Sequence, residues 1–452
     1  MTGRRAAPLL VALGAFALAV ARPSSDPDMF WHLASGRWMV EHRDLLRVDQ
    51  FSSTVSGARY SVGEWLGEIV LYGAYAAAGW PGLALLRGAL VAVAAFFVTR
   101  SAVGTGARLL IAVPLATLAM LLSTIVWTDR PHLFTLALFP LLLDLLLRAR
   151  TGDLRPLIAV PPLLLVWTDL HGGYALGLAL VMLFAVEAAV TRRRVVPFTA
   201  AAVLAAAATL LDPGSLGIGA AFAHAAAPPR FIVEETPPDV LTAPGFLFAF
   251  FVLGTLGVAM RAGGTLIDAL VIVPLLWLGL SAQRDMPYFA MAAVPFLARQ
   301  AAAAWSTLER VPRAHAPRGT LAGLAVGTVA IAVLNLTSLP GAPDERAYPS
   351  GALAELRQGT GVLLNEYDWG GYLIWRAPER RVFIDGRLFP YLPTVFADWN
   401  AAVRLAPRWR EVLESYRVNA VLLRPDRPLV GALRESGWRE TAGREWVLLT
   451  RP

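Results

Sequence analysis

The chain has no cysteine and no lysine in 452 residues. The first absence excludes disulfides, thiolate nucleophiles and cysteine metal ligands. The second leaves arginine to carry all 40 fixed positive charges. With so much Ala, Gly and Pro, that preference reads as the codon bias of a GC-rich bacterial genome. Charge is scarce as well: 16% of residues are ionisable Asp, Glu or Arg, and 56% are hydrophobic. Soluble domains carry about 25% charged residues, so the composition excludes an ordinary soluble enzyme. A net charge of +7 invites a nucleic-acid reading. Much of the arginine lies in short loops between apolar blocks, so topology explains it better, and no nucleic-acid partner is expected.

What is present is a series of apolar blocks of roughly 20 residues, the length that crosses a hydrocarbon core. About eleven spans are expected: 6–21, 81–99, 107–126, 133–148, 155–168, 173–190, 195–211, 244–260, 264–281, 287–303 and 319–338. The first, with Arg4 and Arg5 before it, looks like a signal peptide but is read as an uncleaved span. Trp65–Ala78 is short and carries Glu68, so it is expected to lie at the interface or re-enter. Arginine then sets the orientation. With the N-terminus inside, Arg4/Arg5, Arg100/Arg108, Arg148/Arg150/Arg155, Arg192–Arg194, Arg261 and Arg299/Arg310/Arg313/Arg318 all fall on the cytoplasmic side. Counting 65–78 as a crossing would put the triple arginine outside.

The expected fold class is therefore a polytopic α-helical membrane protein with a C-terminal extracytoplasmic α/β domain. Residues 1–339 form the membrane part, with a long first outer loop at 22–80, and 340–452 form the soluble domain. In the latter, strands are expected at Val362–Leu364, Arg381–Ile384, Ala420–Leu423 and Trp446–Leu449, interleaved with helices. That alternation predicts a mostly parallel sheet, with the last strand antiparallel to the segment near Trp438. The location is a bacterial inner membrane.

The outer loops collect ionisable groups. They bring Asp26, Asp28 and His32; Glu64 and Glu68; Asp129, Arg130 and His132; Asp169 and His171; Glu234 and Glu235; and Arg284 and Asp285. Ionisable residues at membrane helix ends point to function. Asp26 and Asp28, one residue apart, suit either a divalent cation (Mg or Mn) or a base toward a hydroxyl, with Glu64 as a further carboxylate. The same spacing also suits a helix cap. Arg130, His132, His171 and Arg284 suit a phosphate or diphosphate. Alternatively the two arginines pair with Asp129 and Asp285. In the soluble domain, Tyr367 and Asp368 follow one expected strand, and Asp385 and Arg387 end another. Groups at strand ends bind ligands in α/β sheets, whereas Gly pairs and Asp-Gly equally make turns.

The acidic pair after the first span, the span count, the charged outer loops and the C-terminal domain together resemble the GT-C superfamily of membrane glycosyltransferases. That group includes oligosaccharyltransferases, protein mannosyltransferases and aminoarabinose transferases. Asp28–His32, Glu64–Leu66, Arg130-Pro131, His171–Gly173 and Asp368–Leu373 further resemble a bacterial branch grouped with these enzymes. The resemblance implies a polyprenyl-phosphate or polyprenyl-diphosphate sugar donor and a glycan, lipid or protein acceptor. It implies Asp26 or Asp28 as base or metal ligand, and Arg130, His171 and Arg284 as phosphate binders. The Trp-Trp-Asp motif of oligosaccharyltransferases is missing; Tyr367–Gly371 only superficially echoes it. The competing readings are a transporter or flippase of a lipid-linked or anionic substrate, and a non-catalytic assembly protein. Against the former, few charged residues lie deep inside spans, Asp144, Glu187 and Asp268 being near the inner side, and paired broken helices in matching halves are lacking.

Overall fold

The computed structural model describes residues 3–60, 63–213, 233–304 and 343–452. The expected span at 319–338 lies outside them. The other ten expected blocks are helical. In chain order the helices are α1 (Gly3–Val20), α2 (Asp28–His42), α3 (Trp65–Gly104), α4 (Leu109–Leu122), α5 (His132–Thr151), α6 (Val160–Leu170), α7 (Tyr174–Thr191) and α8 (Val195–Thr209). They continue as α9 (Ala243–Ala262), α10 (Leu266–Ser281) and α11 (Met286–Ala304). Among the described residues, six helices are long and apolar enough to cross a membrane, while α8 and α10 are apolar but shorter. This is a membrane protein.

Helix α3 is two helices in series. Ala78 leaves helical geometry and Gly79 takes φ +62°, a conformation that favours glycine, with Pro81 starting the next segment. By internal packing the chain divides at that kink. One compact unit comprises 1–22 and 83–339; the other comprises 23–82 and 340–452.

In the first unit, α4 and α10 pack on α11, while α6 and α7 pack on α8. Small residues let the helices approach: Ala112, Ala116 and Ala119 of α4 and Ala290, Ala293 and Ala298 of α11 are all buried. Large apolar side chains such as Leu110, Ile158, Leu253 and Met260 stay exposed, the surface a lipid environment covers. The charges within spans are neutralised locally. Arg100 pairs with Asp144, Arg150 with Glu187 and Arg299 with Asp268. These pairs leave no isolated charge at those three carboxylates, which accounts for their place in apolar helices.

In the second unit the sheet runs β1 (Val362–Asn365), β2 (Val418–Leu423), β4 (Val447–Thr450), β3 (Arg439–Ala442). The sequence pattern predicts a mostly parallel sheet; only β1–β2 is parallel, and β2–β4 and β4–β3 are antiparallel. The reason is local. β3 and β4 follow one another as a hairpin, which requires antiparallel pairing. The expected strand at 381–384 is not in the sheet. Val382 instead exchanges backbone hydrogen bonds with Phe51 and Ser53, and Asn365 Oδ1 accepts from Phe383 N at 2.7 Å. A side chain therefore takes the place of a ladder on that side. These bonds tie the loop after α2 to the C-terminal residues within one unit.

Candidate functional site

The ionisable residues of the second unit gather where α2 begins. Asp26 Oδ1 accepts from Asp28 N at 3.0 Å, so this carboxylate turns the chain into α2. Asp28 occupies the first helical turn, where a negative charge is favoured by the helix dipole. A Cβ added at Gly386 would fall 2.0 Å from Asp28 Oδ1 and 3.0 Å from Trp31 Nε1. Glycine at this position is thus required for the close approach of the carboxylate. The indole Nε1 of Trp31 is buried and without a hydrogen-bond partner among the described residues. Gly371 likewise admits the Pro27 carbonyl, 3.1 Å from its virtual Cβ. The pair Gly370-Gly371 opens a short helix, Gly370–Arg376, that packs along α2.

Tyr348 stacks on Tyr372 with ring centroids 4.7 Å apart, and both meet the edge of Phe30. Burial, then the charges of Asp26, Asp368 and Asp28, push the Tyr348 phenol up to about 12. It stays protonated at neutral pH, facing three carboxylates. His32 and Glu68 pair at 3.0 Å, both buried. Glu64, half-buried, sits one turn before Glu68, whose N–H donates to its carbonyl at 2.9 Å.

Asp385 and Arg387, expected at a substrate site, lie in a buried ion-pair network. Arg387 donates to Asp385 from Nε at 2.8 Å and from Nη2 at 2.7 Å, and pairs with Asp49 at 2.7 Å. Tyr391 OH donates to Asp385 Oδ2 at 2.5 Å, and the guanidinium lies 5.1 Å from the rings of Phe51 and Tyr60. Both charged side chains are 0% exposed. Burial opposes the Arg387 charge, yet Asp385, Tyr391 and Asp49 hold its pKa well above the ordinary value. The network fixes the turn that presents Gly386. Tyr367 reaches the Gly386 carbonyl at 3.4 Å, and Asp368 pairs with Arg424 at 3.0 Å, partly exposed. Glu366, in the same segment, is buried and holds both Arg424 and Arg427.

The first unit carries the cations. Arg130 pairs with Glu234 in a two-pronged arrangement, Nη2 to Oε2 at 2.7 Å and Nη1 to Oε1 at 3.3 Å. Arg284 pairs with Glu235. The expected neighbours of these arginines in sequence are placed as follows. Asp129 is held by Arg87 at 2.6 Å, both 1% exposed, and Asp285 sits on the turn Gln283–Asp285. Arg87 also donates to the carbonyls of Ala19 and Arg22, closing the end of α1. This arginine lies inside an apolar run, and that anomaly was its only sequence signal.

His132 and His171 stack at 5.2 Å, and His132 Nε2 bonds Tyr288 OH. His171 Nδ1 accepts from Gly173 N at 2.9 Å and lies 2.7 Å from Thr135 Oγ1, which accepts from Trp167 Nε1. The hydroxyl therefore donates to Nδ1, which assigns the His171 proton to Nε2. A Cβ at Gly173 would strike Thr135 Oγ1 at 2.2 Å, so this packing requires the second glycine of His-Gly-Gly, whereas Gly172 faces open space. Burial, then His132, Arg284 and Arg130, hold the His171 pKa well below its ordinary value. Asp169 is half-buried near the end of α6. Among the described residues, no group of three His, Asp or Glu is arranged to hold a metal ion.

No protein-family model matches this sequence. No curated protein matches it either. Solved structures do. The apo oligosaccharyltransferase of Archaeoglobus fulgidus aligns with a TM-score of 0.62 at 13% identity, covering 93% of this chain and 69% of that one. ArnT from Cupriavidus metallidurans, bound to undecaprenyl phosphate, aligns with a TM-score of 0.52 at 14% identity, covering 99% and 98%. Its apo form gives 0.53 at 14% identity, covering 98% and 96%. Such low identity shows a likeness of fold to these proteins and no more.

Proposed function

We propose that this protein transfers a glycosyl group from a polyprenyl-phosphate or polyprenyl-diphosphate donor to an acceptor at the extracytoplasmic face of a bacterial inner membrane. One observation carries the reading: the fold likeness spans 93% to 99% of this chain, and one of the matched proteins was solved with undecaprenyl phosphate bound. The sequence-derived topology, with about eleven spans, a cytoplasmic N-terminus and an extracytoplasmic 340–452, belongs to the same proposal.

In this reading Asp28 is the base. An acceptor hydroxyl or amine attacks the anomeric carbon, its proton passes to the Asp28 carboxylate, and the bond from that carbon to the phosphate oxygen breaks. Direct displacement inverts the anomeric centre. The departing polyprenyl phosphate is anionic, a charge that bidentate guanidinium donors stabilise, and the resemblance proposes Arg130 and Arg284 of the first unit for that role. Neutral His171 contributes a further hydrogen-bond donor. A divalent cation, if used, would be held by Asp26 and Asp28, with other ligands from the donor and water. Two carboxylates with one oxygen already accepting Asp28 N fit a weakly held Mg or Mn rather than a closed protein site. When bound, that ion would add positive charge against the phosphate.

The test is donor consumption. Purified protein in lipid nanodiscs is given radiolabelled polyprenyl-phosphate sugars with envelope extract as acceptor source. Label should leave the donor and appear, with inverted configuration, in an acceptor. Movement of the intact donor across the bilayer without bond cleavage would favour the transporter reading instead.

A further inference from the structure

The two arginines assigned to phosphate are already answered by two adjacent carboxylates. Glu234 and Glu235 sit on one short turn, Val233–Glu235, yet pair with different partners: Arg130 at the start of α5 and Arg284 before α11. The turn is fastened in place, because Gln283 N donates to the Thr236 carbonyl at 3.0 Å and Gln283 Nε2 to Thr236 Oγ1 at 3.1 Å. Burial works against the charge of Glu234, but Arg130 and Arg284 more than offset it and hold its pKa low. Glu235 is 2% exposed in its side chain, a position in which a carboxylate persists only when paired.

We infer that Glu234 and Glu235 are affinity-setting residues of the phosphate site, internal anions that occupy Arg130 and Arg284 and compete with the lipid phosphate for them. The inference rests on the proposed function and adds a consequence for it. A guanidinium that must exchange one anion for another binds the incoming phosphate less tightly than a vacant one would. In a transferase whose product is itself a polyprenyl phosphate, that competition speeds product departure. The Glu pair thereby sets the balance between donor capture and product release.

Binding rather than turnover tests this. A polyprenyl phosphate is titrated into protein in nanodiscs, with the corresponding polyprenol as the uncharged control. Wild type is compared with Glu234→Gln, the double variant Glu234→Gln/Glu235→Gln, and Arg130→Gln. The double variant should bind the phosphate about tenfold more tightly, a shift of ~1.4 kcal/mol, with Glu234→Gln between it and wild type. Arg130→Gln should bind more weakly than wild type. Equal or weaker binding by folded Gln variants, with wild-type binding intact, overturns the inference and leaves the transferase reading standing. Binding by none of the four overturns the phosphate site itself, and this inference with it. Glu234→Gln exchanges near-isosteric side chains at a partly exposed position, so it keeps the comparison meaningful where the double variant is unstable.

Discussion

Arg87 Nη1 donates to Asp129 Oδ2 over 2.6 Å, with both side chains 1% exposed in the first unit. The two residues are 42 positions apart, and one of them sits in the middle of an apolar run. Their pairing, with the bonds from Arg87 to the carbonyls of Ala19 and Arg22, joins the end of α1 to the turn that carries Arg130.

Removing one partner of a buried pair leaves an uncompensated charge, which costs about 3–5 kcal/mol. Arg87→Met should lower the thermal midpoint of the detergent-solubilised protein accordingly. Adding Asp129→Asn to Arg87→Met should recover part of that loss, because the stranded charge is gone. A double variant no more stable than the single one would contradict the pairing.

Gly386→Ala puts a methyl group where Asp28 Oδ1 now lies. Displacing a catalytic group by about 1 Å can cost about 100-fold in rate, and a loss of that order in kcat is expected with KM nearly unchanged. In an Asp28→Asn background the same substitution should add almost nothing. Multiplicative losses in the double variant would show that Gly386 acts independently of Asp28.

The buried network around Arg387 predicts a structural phenotype. Arg387→Met should destabilise the second unit by about 3–5 kcal/mol, read by limited proteolysis of residues 340–452. Arg387→Lys should fail to restore it, since one ammonium cannot reproduce the bidentate contact with Asp385 and the reach to Asp49. A stable Arg387→Met protein with altered donor preference would return the residue to the substrate-binding role.

His171 predicts a pH dependence. Its folded pKa lies below the unfolded value of about 6.5, so the unfolded chain takes up the proton first. The stability that neutral His171 contributes is complete above about pH 6.5 and is lost as pH falls through 6.5 toward the folded value, at up to ~1.4 kcal/mol per pH unit. His171→Gln should flatten the stability profile between roughly pH 6.5 and 5, before carboxylates dominate. Parallel profiles for the two proteins would contradict the assignment.

Much of this was legible in the chain. Apolar block length and composition identify a membrane protein. Three of the four expected strands in 340–452 follow from short apolar runs; the one at 381–384 lies outside the sheet. The partners of the charges do not follow, because pairing is set by three-dimensional neighbours rather than by adjacency. Arg130 and Arg284 take Glu234 and Glu235, over 104 positions in the first case. Asp385 and Arg387 look like strand-end ligand binders, yet Asp49 from a distant loop closes around them. The antiparallel pairing of β4 with β3, just after Trp438, was legible too; that of β2 with β4 was not, because strand order across a sheet is set by three-dimensional neighbours.

The central claim is that Asp28 removes the acceptor proton during glycosyl transfer. Single-turnover assays with a radiolabelled polyprenyl-phosphate sugar, comparing wild type with Asp28→Asn at matched stability, test it most directly. The account predicts that Asp28→Asn binds the donor normally and loses at least about 100-fold in transfer, the lower range of a positioned base. Equal transfer by both proteins would remove Asp28 from the mechanism.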